Sequence, residues 1–229
     1  MDSKKQPLYT LLSGFGPFGN VVDNPTERLA RHFETVTVPG HELTICTLPT
    51  SFTRAPKLLQ ETIKQGAADG HPFDVILMLG VAAGSENWRV ETQGLNWNDP
   101  RIPDVDGLQM SGYPIIPDGP ARLPITLSAH QMERAIHATG APVVLSLSAG
   151  AYLCNHLLYT TLYHLGENSQ VRAGFLHVPA DEQTYADNSV GNDSEENILE
   201  ENDLVQSEKC AFPFSQHVAV LRSLLEALI

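Results

Sequence analysis

Basic residues are scarce in this chain. Its 14 Lys and Arg stand against 27 Asp and Glu, a formal net charge of -13. No basic stripe is available to neutralise phosphates, which argues against a nucleic-acid partner. Cysteine is scarcer still: Cys46, Cys154 and Cys210 are too few and too scattered for a disulfide framework or a zinc site. Reduced thiols, and with them a cytoplasmic protein, are the expectation. Apolar runs fall well short of the roughly 20 residues that cross a bilayer. The opening Met1-Asp-Ser-Lys-Lys-Gln-Pro7 has no apolar core of a signal peptide, so neither a membrane anchor nor a secretory leader is expected. With 229 residues, 42% of them hydrophobic, the chain can fill one good-sized core. No internal repeat or linker divides it, so residues 1–229 read as a single domain.

Strand and helix signals alternate along that domain. Leu8–Ser13 reads as a strand, and Asn24-Pro-Thr-Glu27 starts a helix with Asn as N-cap and Pro at the first position. Leu43–Leu48 is a second strand, followed by a helix opening at Ala55-Pro56. Asp74-Val-Ile-Leu-Met-Leu-Gly80 is the clearest buried strand. A long irregular stretch, rich in Pro, Gly, Asn and Asp, then runs from Ala82 to about Leu123, and loops of that length are usually functional. Ser128 and Gln131 form a capping-box pattern for a third helix. Val143-Val-Leu145 reads as a short buried strand, Ala173–Pro179 as another, and the final helix begins at Ser215 with Val218, Leu221, Leu225 and Leu228 facing inward. The pattern predicts a three-layer α/β/α fold with a mainly parallel, twisted sheet.

Three segments carry more than fold information. Gly14-Phe-Gly-Pro-Phe-Gly19 matches the dinucleotide fingerprint in form only. Pro17 removes a backbone donor, Phe15 and Phe18 are bulky, and the helix starts too late for pyrophosphate to reach it. Two aromatics on a Gly-rich turn suit a small flat ring better. The segment at about 186–210 is dense in Asp and Glu and has no Lys or Arg until Lys209. It lacks the EF-hand order, with Gly at the sixth position and Glu at the twelfth, and reads as a solvated insertion and not a calcium loop.

The third segment is Ser146-Leu-Ser-Ala-Gly-Ala-Tyr-Leu-Cys-Asn-His156. It passes from strand through a small-residue turn into a helix with Leu158, Leu162 and Leu165 on one stripe and Gly166 at its end. Cys154 falls in the first turn. Unpaired N–H groups and the helix dipole there favour a thiolate, and the same N–H groups suit an oxyanion. The plainer alternative is a small buried cysteine. Among the nine histidines, His177 is the best partner, because it closes a buried strand; His156 is too near along the helix. A Cys–His pair needs a third group to orient the ring, and Glu91, expected at a sheet end, is the candidate carboxylate.

Together these residues resemble the pyroglutamyl peptidase I (pyrrolidone carboxyl peptidase) family of cysteine peptidases. The likeness runs from about Leu11 to Pro179. It rests on Gly14-Phe-Gly-Pro-Phe-Gly19, Asn24-Pro-Thr26, Asp99-Pro-Arg-Ile-Pro-Asp104, Ser148-Ala-Gly-Ala-Tyr-Leu-Cys-Asn155 and Gly174-Phe-Leu-His-Val-Pro179. The resemblance implies a catalytic Glu91, Cys154 and His177, no metal or cofactor, and a homo-oligomer, commonly a tetramer. It also implies release of an N-terminal pyroglutamyl residue from peptides through a thioacyl-enzyme. Phe15 and Phe18 are then candidates to pack on the lactam ring, Asn24 to bond it, and Arg101 to assist the Cys154 N–H with the oxyanion. Departures stand at Val81, where the family usually has Gln, at Ser85 in place of Arg, and at Thr92, where Arg usually follows the glutamate. A same-fold hydrolase of another small amide or lactam, and a binding protein that has lost catalysis, are the rival readings.

Overall fold

Every strand of the main sheet is placed by what its two faces must bury. A computed structural model describes residues 6–19, 21, 23–184 and 212–229. In chain order the elements are β1 (Leu8–Phe15), α1 (Pro25–His32), β2 (His41–Leu48), α2 (Arg54–Ala68), β3 (Val75–Ala82), β4 (Trp88–Glu91), β5 (Gln93–Leu95), β6 (Arg122–Pro124), α3 (Ala129–Ala138), β7 (Val143–Ser146), α4 (Leu153–Leu165), β8 (Arg172–Pro179) and α5 (Phe214–Ala227). The main sheet has the order β2-β1-β3-β8-β4-β7, and only the β4–β8 pairing is antiparallel. This is the mainly parallel α/β sheet expected. The acidic segment and Cys210 lie outside the described residues.

β3 shows why helices cover both faces. Val75, Leu77 and Leu79 point into one apolar cluster with Leu29 and Phe33 of the α1 region, Met132 and Ile136 of α3, and Leu221 and Leu225 of α5. Ile76 and Met78 point the other way, into a cluster with Leu59 of α2 and Leu153, Leu157, Leu158 and Leu162 of α4. All five β3 residues from Val75 to Leu79 are fully buried. A strand with no polar face can only sit between two helical layers.

Local signals hold at several ends. Asn24 caps α1, its side chain accepting from the Thr26 N–H, and Gly166 ends α4 with a positive φ of 73°. Ser128 accepts the Gln131 N–H as its pattern requires, but the Gln131 amide turns outward to the Ala227 carbonyl. The capping box is half made, because the end of α5 offers an acceptor.

Four expectations change. The stretch from Ala82 to Leu123 is not wholly irregular: it holds β4 and β5, and reaches β6. Four residues with Arg and Glu among them give little strand pattern, yet Trp88 and Val90 are fully buried between β8 and β7. The strand at 143–146 is the sheet edge, with Val144 exposed, so its apolar run reflects strand propensity and not a central place. α5 buries His217, Val220, Leu221, Leu224 and Leu225, with Val218 only half-buried. Finally, α4 has no simple inner stripe: residues from Asn155 to Leu162 are buried all round. The β5–β6 ribbon lies over its outer side, where Asn155 Oδ1 accepts the Leu95 N–H and Nδ2 donates to the Leu95 and Trp97 carbonyls. A helix covered on both sides loses its amphipathic signature.

β1 and α1 meet at backbone distance. A Cβ on Gly14 would stand 2.1 Å from the Thr26 carbonyl oxygen, while the Thr26 hydroxyl accepts the Phe15 N–H at 3.0 Å. Neither backbone can yield without moving a whole element. Gly14→Ala is therefore expected to destabilise the protein by about 1–3 kcal/mol or more, read as a lower urea midpoint at unchanged slope.

Candidate active site

Parallel strands deliver their C-terminal ends to one edge of the sheet, where open α/β proteins form clefts. Here β1 delivers Phe15 and Phe18, the chain after β2 delivers Thr50, and β3 delivers Val81. Together with Asn24, Tyr152, Leu153 and Cys154 they line a narrow, mostly apolar cleft. Phe15 is nearly buried; Phe18 and Val81 are partly open.

Cys154 is the second residue of α4, after an N-cap at Tyr152 that makes no side-chain cap bond. The first-turn N–H groups therefore have no acceptor within the helix. The thiol lies directly over β3: a Cβ on Gly80 would come within 2.8 Å of Cys154 Sγ and 2.8 Å of the Phe175 ring. Gly80 is paired across the sheet with His177. Only a residue without a side chain lets the helix bring sulfur down beside that imidazole.

His177 Nδ1 is 2.8 Å from Glu91 Oε1, which leaves Nε2 for the thiol. Glu91 is fully buried and His177 nearly so. Burial by itself pulls the imidazole pKa down, but the Cys154 sulfur, as charge and hydrogen-bond partner, and the Glu91 carboxylate outweigh it and raise it to about 9. The ring is thus held as imidazolium between a sulfur and a carboxylate. Glu91 is the last residue of β4 but does not lie, as the sequence leads one to expect, at the edge where β1, β3 and β8 end. Because β4 runs antiparallel to β8, Glu91 pairs with Phe175 and approaches His177 from inside the sheet.

The other sequence candidates separate. Asn24 lines the cleft but is largely committed: its Oδ1 accepts from the Thr26 N–H and hydroxyl, and its Nδ2 donates to the Gly16 carbonyl. One amide N–H remains. Arg101 is exposed, lies outside the cleft lining and has no polar partner among the described residues. Ser85 bonds within its own turn to Asn87, and Thr92 donates to the Ser146 carbonyl; neither lines the cleft.

Three residues were missed. Tyr152 forms an aromatic wall, its ring 6.4 Å from Phe18 and 5.4 Å from Phe52. Burial, with the negative charges of Asp104 and Cys154, pushes its pKa up to about 12, and the phenol donates to the Pro103 carbonyl. Thr50 follows a parallel strand, a position that marks it as a candidate. Arg89 sits two residues before Glu91 on the same face of β4, 3.3 Å from Oε1; strand alternation was the signal available. His156, set aside earlier, is satisfied by Asn98, and burial drives its pKa down to about 4. The loop carrying Asp99–Asp104 is pinned by Asp104, whose carboxylate accepts the N–H groups of Phe52, Asp106 and Leu108. Among the described residues no group of three or more His, Cys, Asp or Glu is placed to hold a metal ion. No described helix is long and apolar enough to cross a membrane.

A family profile described as pyroglutamyl peptidase matches residues 8–201. The chain is 32% identical over 173 residues to the pyrrolidone-carboxylate peptidase of Pyrococcus furiosus, covering 75% of this chain and 81% of that one. With the Vibrio vulnificus protein of the same name it shares 37% over 179 residues, covering 78% and 82%. Among solved structures, pyrrolidone carboxyl peptidase from Thermococcus litoralis superposes with a TM-score of 0.81 at 26% identity, over 96% of this chain and 93% of that one. Pyroglutamyl peptidase I from Bacillus amyloliquefaciens gives 0.81 at 25%, over 97% and 95%.

The charge arrangement sets the titration of the ring. In an NMR titration the His177 imidazole is expected to lose its proton near pH 9. Replacing Glu91 by Gln removes one of the charges that favour the imidazolium, so the midpoint moves to lower pH. A midpoint unmoved by Glu91→Gln, or shifted upward, would contradict the pairing.

Proposed function

The chain belongs to the pyroglutamyl peptidase family, and from that premise we propose that Cys154, His177 and Glu91 carry out its hydrolysis. The activity is that of a cysteine omega peptidase, which releases an N-terminal pyroglutamyl residue. The observation that carries the assignment of residues is the 2.8 Å His177–Glu91 pair standing beside a thiol that Gly80 admits.

The Cys154 thiolate attacks the carbonyl carbon of the pyroglutamyl residue at the scissile amide, forming a C–S bond. The oxyanion meets the first-turn N–H groups of α4, that of Cys154 foremost. Arg101, exposed and not among the residues lining the cleft, is the second donor that the family likeness implies for the oxyanion. As the tetrahedral species collapses, His177 gives its proton to the leaving amine, the C–N bond breaks and a thioester remains. Neutral His177 then takes a proton from water, whose oxygen attacks the thioester; the C–S bond breaks and the thiolate and imidazolium return. Glu91 holds Nδ1 throughout and fixes which nitrogen faces the sulfur.

Phe15, Phe18 and Tyr152 supply flat apolar walls suited to packing on a small planar ring. The ring also presents one N–H and one C=O. Val81 satisfies neither, and Asn24 has one N–H to give. The Thr50 hydroxyl donates to the Pro17 carbonyl and keeps acceptor capacity. Asn24 can therefore serve the lactam C=O and Thr50 its N–H, one side-chain partner for each polar atom and none to spare.

The described strands and helices pack on one six-stranded sheet, which supports a single catalytic domain. Exposed Trp97, Ile102, Val105, Leu108 and Tyr113 on one loop region support assembly into a homo-oligomer, a tetramer by family likeness. Free thiols at Cys46 and Cys154 fit a reducing, cytoplasmic setting.

With a fluorogenic pyroglutamyl amide, Cys154→Ser is expected to abolish turnover without unfolding, because a hydroxyl is far less acidic than a thiol. Cys46, whose thiol burial pushes its pKa up, should be replaceable by Ala without loss of activity. Alkylation mapped to Cys46 or Cys210 as the cause of inactivation would contradict the assignment. Val81→Gln restores a polar partner worth ~1–3 kcal/mol when buried. It should raise kcat/KM for pyroglutamyl substrates roughly tenfold or more while leaving prolyl analogues unchanged. Equal effects on both substrates would mean that Val81 only fills space.

A further inference from the structure

Resting on the assignment of Cys154, His177 and Glu91 just made, we propose that Arg89 is a positioning residue for this site. Its guanidinium locks the Glu91 carboxylate and the turn leading into α4 into one frame. Arg89 and Glu91 alternate on β4 and share the face that carries His177 and Phe175 across the β8 ladder. The fork of Arg89 spans two anchors. Its Nε donates to Glu91 Oε1 at 3.3 Å, and its Nη2 donates to Ser146 Oγ at 2.8 Å and to the Ser148 carbonyl at 3.3 Å.

Both anchors bear on the chemistry. Glu91 Oε1 is the oxygen that holds His177, while the fully buried Oε2 has no hydrogen-bond partner among the described residues. The carboxylate is therefore oriented through a single oxygen shared by the imidazole and Arg89. On the other side, Ser146 and Ser148 begin the small-residue turn before Cys154. The Ser146 hydroxyl donates to the Ser148 carbonyl, and Ser148 Oγ accepts the Gly150 N–H. One cation thus connects the acid of the site to the backbone that presents the nucleophile.

Arg89 also solves a charge problem inside the cycle. Each turnover passes through a state in which His177 has given up its proton. At that moment a fully buried carboxylate would have no cation beside it, a costly arrangement. A guanidinium does not deprotonate, so Arg89 remains the counter-charge while His177 alternates. Its side chain is partly exposed, at 37%, so burial of its own surface does not account for its placement. Lysine offers a point charge and not a fork, and would reach one anchor at a time.

The test measures kcat, KM and Tm for Arg89→Met, Arg89→Lys, Glu91→Gln and the Arg89→Met/Glu91→Gln double variant, with a pyroglutamyl amide as substrate. Arg89→Met should lower kcat about tenfold or more at nearly unchanged KM, and Arg89→Lys should recover part of the loss. In the Glu91→Gln background, Arg89→Met should lower kcat by a clearly smaller factor than in the wild type, since only its hold on the Ser146–Ser148 turn is left to lose. Losses that multiply independently, or a drop in Tm with kcat intact, would overturn the proposal. If Arg89→Met does not fold, Arg89→Lys decides: reduced kcat at constant KM supports the role, and wild-type kcat refutes it. The initial rate of Cys154 alkylation by iodoacetamide, which needs no substrate, separates this inference from the reading beneath it. A several-fold slower rate in Arg89→Met upholds the positioning role even if the wild type fails to cleave pyroglutamyl amides, and an unchanged rate rejects it even if the wild type cleaves them.

Discussion

A carboxylate with no access to water is the constraint around which the rest of this structure is arranged. Glu91 is fully buried, and a lone buried anion would cost several kcal/mol. It is tolerated because a His177 held as imidazolium lies 2.8 Å away and Arg89 stands 3.3 Å from the same oxygen. Those contacts require a strand that enters the sheet beside β8 and runs against it. The one antiparallel pairing of the main sheet among the described residues, β4 on β8, is what lets an acid come from within the sheet to a histidine near the end of a parallel strand.

The nucleophile is fixed by a different kind of restriction, which is steric. The start of α4 lies close enough to β3 that Gly80 admits Cys154 Sγ where a methyl group could not fit. Sheet order then does the remaining work, since Gly80 and His177 are neighbours across the β3–β8 pairing. The cleft gathers where β1, β2 and β3 end, so the apolar walls and the reacting sulfur come from different elements of one rigid frame. The β5–β6 ribbon, bonded through Asn155, presses α4 onto that frame from outside.

Much of this was legible in residue order, and the failures have physical causes. The Val75–Leu79 run announced a strand buried on both faces, and the Ser148–Cys154 turn announced a thiol at a helix start. β4 was not legible, because a four-residue strand with Arg and Glu on one face carries almost no hydrophobic period; its identity comes from the neighbours that bury Trp88 and Val90. For the same reason the sequence places Glu91, its candidate acid, where the parallel strands end, whereas the antiparallel β4 brings it opposite Phe175 within β8. Arg101 is an oxyanion candidate from its motif alone, and its reach is a tertiary property; its side chain is exposed and not among the cleft-lining residues. Arg89 is the converse case: no motif in the sequence singles it out, and it joins the acid to the turn before the nucleophile only once β4 and β7 are paired.

The central claim is that hydrolysis proceeds through a thioester on Cys154. The most direct measurement is mass-spectrometric peptide mapping of enzyme quenched in acid during turnover of a pyroglutamyl amide. The account expects a pyroglutamyl adduct on the peptide containing Cys154, lost when the quench follows substrate exhaustion. Steady turnover with the adduct on another residue, or with none under conditions where hydrolysis of the thioester limits the rate, would contradict it.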